Sequence, residues 1–205
     1  MNILFIGDSL TRGYDVPYGE GWVELSIKAL RAVEKETSFK GASPWILRNA
    51  GVDGATLQAI YNNLECQCGM TKTPYDFIII MGGTNDILQG RRAEDCFHML
   101  KKNVAYIQSL GAIPILGLPP HIDFDPDGDN AVVKAYGELI LAYAKAQGLV
   151  VINFYDALLA ADARKEIIFA GDVHPNTLGY RYMYETAWPI IDEQVKAHIS
   201  YKDRT

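Results

Sequence analysis

Little in this sequence points to a membrane, a nucleic acid or an oxidising compartment. Its 205 residues contain only three cysteines, and Cys66 and Cys68 lie too close in the chain for an ordinary structural disulfide. Reduced thiols are therefore expected, and a Cys-x-Cys without a nearby second pair is a weak metal signal. No apolar stretch approaches the roughly 18 residues that a membrane helix needs. Nineteen Lys and Arg stand against twenty-five Asp and Glu, a formal net charge of -6, whereas a nucleic-acid surface shows as a basic excess. No run rich in Pro, Ser or charge divides the chain and no repeat interrupts it, so residues 1–205 read as one domain. An apolar run starts at residue 2 and reaches Ser9 at once, which leaves no room for an export signal; the chain reads as cytoplasmic.

What is present is an ordinary globular composition, 49% hydrophobic and 21% charged. Two periods alternate along it. Short apolar runs occur at 2–7, 44–51, 75–83, 112–120 and 149–155, mostly rich in Ile, Val and Phe on both faces, as buried parallel strands are. Between them lie stretches with apolar residues three or four apart: Trp22, Leu25, Leu30 and Val33; Leu57, Ile60 and Leu64; Phe97, Leu100, Val104 and Ile107; Val132, Tyr136, Leu139 and Tyr143. A last one runs through Tyr182, Thr186, Ile190 and Val195, and Gly111 and Gly148 supply helix stops. Strand-helix units in series predict an α/β protein with a doubly wound parallel sheet. Ligands of such sheets bind beyond the carboxyl ends of the strands, so the residues after each apolar run carry the functional information.

Those residues are polar and glycine-rich. After the first run come Gly7, Asp8, Ser9 and Leu10; alone, Ser9 reads equally well as a helix cap, and Thr11 breaks the Gly-x-Ser-x-Gly pattern of ordinary α/β-hydrolases. After the second comes "NAGVDGAT", where Gly51 and Gly54 suit a tight turn with positive φ or a backbone N–H aimed at an anion. After the third comes "GGTND", in which Asn85 and Asp86 read as caps of the next helix, or else the Asn85 amide points a donor into the same crevice. After the last strand and a loop comes "GDVHPN", with His174. A hydroxyl nucleophile, an imidazole base and N–H donors at one sheet edge are the parts that acyl transfer requires.

These four segments, in this order and across nearly the whole chain, resemble the SGNH or GDSL family of serine esterases and lipases. The resemblance implies a three-layer α/β/α flavodoxin-like sandwich with a five-stranded parallel sheet of order 2-1-3-4-5. It implies Ser9 as nucleophile, His174 as general base, and an oxyanion hole from Ser9 N–H, Gly54 N–H and the Asn85 amide. Asp8 reads as a supporting residue that orients the Ser9 turn. The expected substrate is a small-molecule ester, with a short acyl group favoured; no metal, cofactor, nucleic acid or membrane enters, and oligomeric state is not legible. Within the same family a lysophospholipase or thioesterase is the nearest alternative, and a non-catalytic sugar- or lipid-binding relative the next. A flavin or nucleotide binder would need a G-x-G-x-x-G or Walker sequence, which no strand is followed by.

The sequence departs from the family in one place. The triad acid usually stands three residues before the histidine, where this chain has Gly171; Asp172, two residues before His174, is the acid expected to complete the triad, with a Ser-His dyad oriented by a carbonyl as the alternative. "DFDPDGD" at 123–129 matches the first half of a calcium loop but has Lys134 where the bidentate Glu belongs, so a solvated loop near the crevice is expected, with His121 a candidate substrate contact.

Overall fold

The computed structural model describes residues 1–37, 43–70, 74–171 and 173–202. Five parallel strands form one sheet: β1 (Asn2–Gly7), β2 (Ile46–Gly51), β3 (Phe77–Met81), β4 (Ile113–Leu118) and β5 (Val150–Asn153), in the order β2-β1-β3-β4-β5. The expected flavodoxin-like order is thus the observed one. Eight helices connect and cover the described strands: α1 (Ser9–Arg12), α2 (Trp22–Thr37), α3 (Leu57–Met70), α4 (Thr84–Leu88), α5 (Ala93–Ser109), α6 (Asp129–Gln147), α7 (Phe154–Ala163) and α8 (Thr177–Lys202).

Successive side chains of a strand point to opposite faces, and here each face has its own core. Leu4, Ile6, Ile78, Ile80, Leu116 and Leu118 pack with α3, α5 and α6. Ile3, Phe5, Phe77, Ile79, Met81 and Ile115 pack with α2, α7 and α8. Each fully buried aliphatic side chain contributes about 1.5–3 kcal/mol, so the two faces together hold the sheet rigid beneath its carboxyl edge. The central strands β1 and β3 are buried along their whole length. In β2 and β5, by contrast, only Ala50 and Ile152 are buried, because these strands lie at the sheet edges. A strand apolar on both faces describes the centre of this sheet and not its borders.

Trp22 links the core to the functional edge. Its ring lies 5.7 Å from that of Phe5 and 4.9 Å from that of Phe154, and its Nε1–H donates to the Leu10 carbonyl at 2.9 Å. The short α1 is thereby tied to the core through a fully desolvated hydrogen bond.

Candidate active site

Ser9 is the first residue of α1, a single turn that begins where β1 stops. Asp8 caps that turn: its Oδ1 accepts from the Leu10 N–H at 3.0 Å, and its carbonyl accepts from the N–H groups of Thr11 and Arg12. Gly13, at φ +81°, ends the turn in the left-handed region, with its N–H on the Ser9 carbonyl at 3.0 Å. As the first residue of a helix, Ser9 has no intrahelical acceptor for its own N–H.

Two glycines let α1 sit directly on the strand ends. A Cβ on Gly7 would stand 2.1 Å from Thr11 Oγ1 and 2.4 Å from the Met81 carbonyl oxygen; one on Gly51 would stand 2.3 Å from the Arg12 nitrogen. Positive φ, expected for the turn that holds Gly51 and Gly54, occurs at Gly54 (φ +70°) and not at Gly51, which is glycine because α1 crosses over it. Asn49 secures the crossing. Its amide donates to the Thr11 carbonyl at 3.1 Å and to the Glu24 carboxylate, while its Oδ1 accepts from the Gly51 N–H at 3.0 Å.

His174 arrives from the other end of the chain. Its Nε2 lies 3.0 Å from Ser9 Oγ, across 165 residues of sequence. A small hairpin carries it: Phe169 and Pro175 form an antiparallel bridge, and the Ala170 N–H donates to the His174 carbonyl at 2.8 Å. Asn176 then anchors the hairpin to α8, donating to the Ile167 carbonyl at 2.8 Å and accepting from the N–H groups of Leu178 and Gly179. The Tyr14 ring lies against the His174 ring, with centroids 4.6 Å apart. Gly171, at the family's usual acid position, is exposed. Asp172, the expected third member, lies outside the described residues.

The remaining predicted donors lie on the β2–α3 loop and α4. Val52 N–H donates to the Gly7 carbonyl at 3.0 Å, which fixes the loop beside Ser9, and the Ala55 N–H closes it on the Val52 carbonyl at 3.1 Å. Asn85 Nδ2 donates to the Ala55 carbonyl at 3.1 Å. That bond uses one of its two amide hydrogens and leaves the second for a ligand. Asp86 does not cap its own helix. Its Oδ2 accepts from the N–H of Leu57, the first residue of α3, at 2.8 Å, and so ties α4 to the start of α3.

Beneath Ser9 the environment is dry. Asp8 is wholly buried, its Oδ2 has no hydrogen-bond partner among the described residues, and desolvation pushes its carboxyl up to about 7. Asp86 is raised as well, by burial. The expected substrate contact at His121 is not on the surface: the residue is 6% exposed and its ring packs against Phe169 and Tyr155. In the 123–129 segment Asp125 caps α6, its two carboxylate oxygens accepting from the N–H groups of Asp129 and Asn130 at 2.7 and 3.1 Å. Three further residues reach the site that the strand-end pattern did not single out: Tyr14, Arg12 and Asp53. Arg12 forms an ion pair with Asp53, next to Gly54, and its guanidinium carbon lies 6.0 Å from the Tyr14 ring centroid.

Residues 5–182 match the model of a family described as the GDSL-like Lipase/Acylhydrolase family. A solved member of the lipolytic protein G-D-S-L family from Veillonella parvula DSM 2008 is 39% identical, covers 93% of this chain and 97% of its own, and superposes with a TM-score of 0.79. Two solved esterases share the fold at lower identity. The acetyl xylan esterase AlAXEase is 17% identical, with 93% of this chain and 100% of that chain covered and a TM-score of 0.76. Axe2, an acetylxylan esterase from Geobacillus stearothermophilus, is 20% identical, with 90% and 91% covered and a TM-score of 0.70. No curated protein matches.

Proposed function

The chain belongs to the GDSL-like lipase/acylhydrolase family, and from that premise we propose that it is a serine esterase working through an acyl-enzyme on Ser9. The observation that carries this reading is the 3.0 Å separation of Ser9 Oγ and His174 Nε2. It is hydrogen-bond distance for a nucleophile and its base. Ser9 Oγ attacks the ester carbonyl as His174 Nε2 takes its proton; the tetrahedral intermediate collapses, the alcohol leaves with that proton, and water activated by the same ring releases the acid.

Negative charge developing on the carbonyl oxygen falls to the N–H of Ser9, the N–H of Gly54 and the second hydrogen of the Asn85 amide. Asp8 is suited to its place below Ser9 because burial holds its carboxyl at about 7, so that at neutral pH it is partly protonated and repels the oxyanion less than a full charge would. Asp172 is the acid proposed to orient the His174 ring.

The substrate proposed is a short-acyl ester of a hydrophilic alcohol, of which an acetylated sugar is one example. In its support, Arg12, Asp53 and Asn85 put polar groups on the segments that carry Ser9 and Gly54, and two structural neighbours are acetylxylan esterases. A lysophospholipase or thioesterase would need an apolar channel for a long acyl chain. A fluorophosphonate probe tests the central claim: the expected result is one covalent adduct on Ser9, lost in Ser9→Ala, together with acetate release from p-nitrophenyl acetate. An unlabelled protein without esterase activity would instead be a binding relative of the family.

A further inference from the structure

From the contacts around α1 we infer that Arg12 and Asp53 form a positioning clamp that holds the Gly54 N–H in register with Ser9, an inference that rests on the esterase reading above. Arg12 stands three residues after Ser9, at the end of the same helical turn, and its Nη1–H donates to the Asp53 carboxylate. Asp53 immediately precedes Gly54. The clamp therefore joins the turn that carries the nucleophile to the loop that carries an oxyanion donor.

The loop needs such a tether. Gly54 is at φ +70°, and a Cβ placed on it would meet nothing within 4 Å, so no side chain packs on that flank. The inner flank is fixed by the bond from Asn85 Nδ2 to the Ala55 carbonyl and by the Ala55 N–H on the Val52 carbonyl. At the outer flank the Asp53 side chain adds a tether beside the backbone bond from the Val52 N–H to the Gly7 carbonyl. The Gly54 peptide lies between these backbone bonds, and an oxyanion donor is effective only where it points at the developing charge, so a side-chain tether on the adjacent residue narrows its orientations. Arg12 also lies over Tyr14, whose ring rests on His174, so the same guanidinium borders both the donor side and the base side of the site.

An exposed ion pair contributes little to global stability; the side chains of Arg12 and Asp53 are 54% and 43% exposed. Its effect is therefore expected in turnover and not in melting. The experiment is steady-state hydrolysis of p-nitrophenyl acetate by the full chain and by Arg12→Ala, Asp53→Ala, their double variant and the exchanged pair Arg12→Asp with Asp53→Arg. Each single variant is expected to lose about 10-fold in kcat with KM changed less than about twofold, the double variant to be no worse than either single, and the exchanged pair to regain much of the loss. In 1 M salt the parent is expected to lose activity toward the Arg12→Ala level, while Arg12→Ala itself is unaffected. Melting temperatures should stay together. An active parent whose single variants keep its kcat, or whose losses multiply in the double variant, overturns the clamp alone. A parent with neither turnover nor a fluorophosphonate adduct overturns the esterase reading and the clamp with it.

Discussion

Tyr14 lies with its ring 4.6 Å from that of His174 and tilted 45° to it, and its backbone N–H donates to the Ser9 carbonyl at 3.1 Å. One residue thus touches the proposed base through its side chain and the Ser9 turn through its backbone. The contact limits how far the imidazole can rotate away from Ser9. A ring pair of this kind is worth about 0.5–1.5 kcal/mol. Tyr14→Ala should therefore lower kcat on p-nitrophenyl acetate by up to about 10-fold, with Tyr14→Phe within about twofold of the parent. Equal losses in both variants would move the role from the ring to the hydroxyl.

Asn85→Ala removes the proposed side-chain donor to the oxyanion, and also the bond to the Ala55 carbonyl. A drop of roughly 10²- to 10³-fold in kcat is expected, with KM changed little, since the interaction belongs to the transition state. Initial-rate kinetics on the same ester measure it, and parental turnover would remove Asn85 from the mechanism.

For Asp172 a large loss is expected as well. Losing the orienting acid of a triad costs several orders of magnitude, so Asp172→Asn should lower kcat at least ~100-fold. Phosphonylation of Ser9 by a fluorophosphonate, with loss of fluoride, should slow in parallel. A nearly unchanged rate would leave His174 oriented by a different group.

Asp8 makes a prediction about stability. An unfolded Asp titrates near ~3.9, whereas in the fold its carboxyl is raised to about 7 by desolvation. Between those values the folded chain holds a proton that the unfolded chain has lost, so Asp8 makes stability fall as pH rises from about 4 to about 7, and the loss is complete above that. Asp8→Asn keeps an oxygen for the Leu10 N–H and has no charge to bury. Its melting temperature relative to the parent should climb from about pH 4 to about pH 8, measured by thermal denaturation. A difference that does not vary with pH would show that the carboxyl ionises in the fold as it does in water.

Much of this was open to a reader of the sequence. The five apolar runs and the amphipathic stretches between them specified the sheet, and polar residues clustered after the strands because that is where this architecture places its ligands. The strand-end argument brought Ser9 and His174 to one edge although 165 residues separate them, and the resemblance to a known family gave them their roles. Other features left no local trace. Helices α1, α4 and α7 are short, and the glycines and polar residues at the ends of α1 and α4 read as turns. Asp86 looks like a cap for the helix it begins, yet serves α3 through a contact spanning 29 residues. Arg12 and Asp53 sit 41 residues apart, each in a polar stretch, and only the crossing of α1 over Gly51 brings them together. His121 is polar in sequence and buried in space because Phe169 and Tyr155 close over it.

The way His174 is carried has its own consequence. Ser9 follows a fully buried central strand, whereas His174 lies outside the named strands and helices, in a segment joined to the fold by the Phe169–Pro175 bridge, the Ala170 N–H on the His174 carbonyl, the packing of Val173 and the Asn176 cap at the start of α8. The proposed nucleophile and the proposed base therefore belong to regions of unequal resistance to opening. On heating, the base should drift out of reach while the sheet is still intact, so that catalysis fades at temperatures where spectroscopy continues to see a folded protein, and returns on cooling without any refolding of the core.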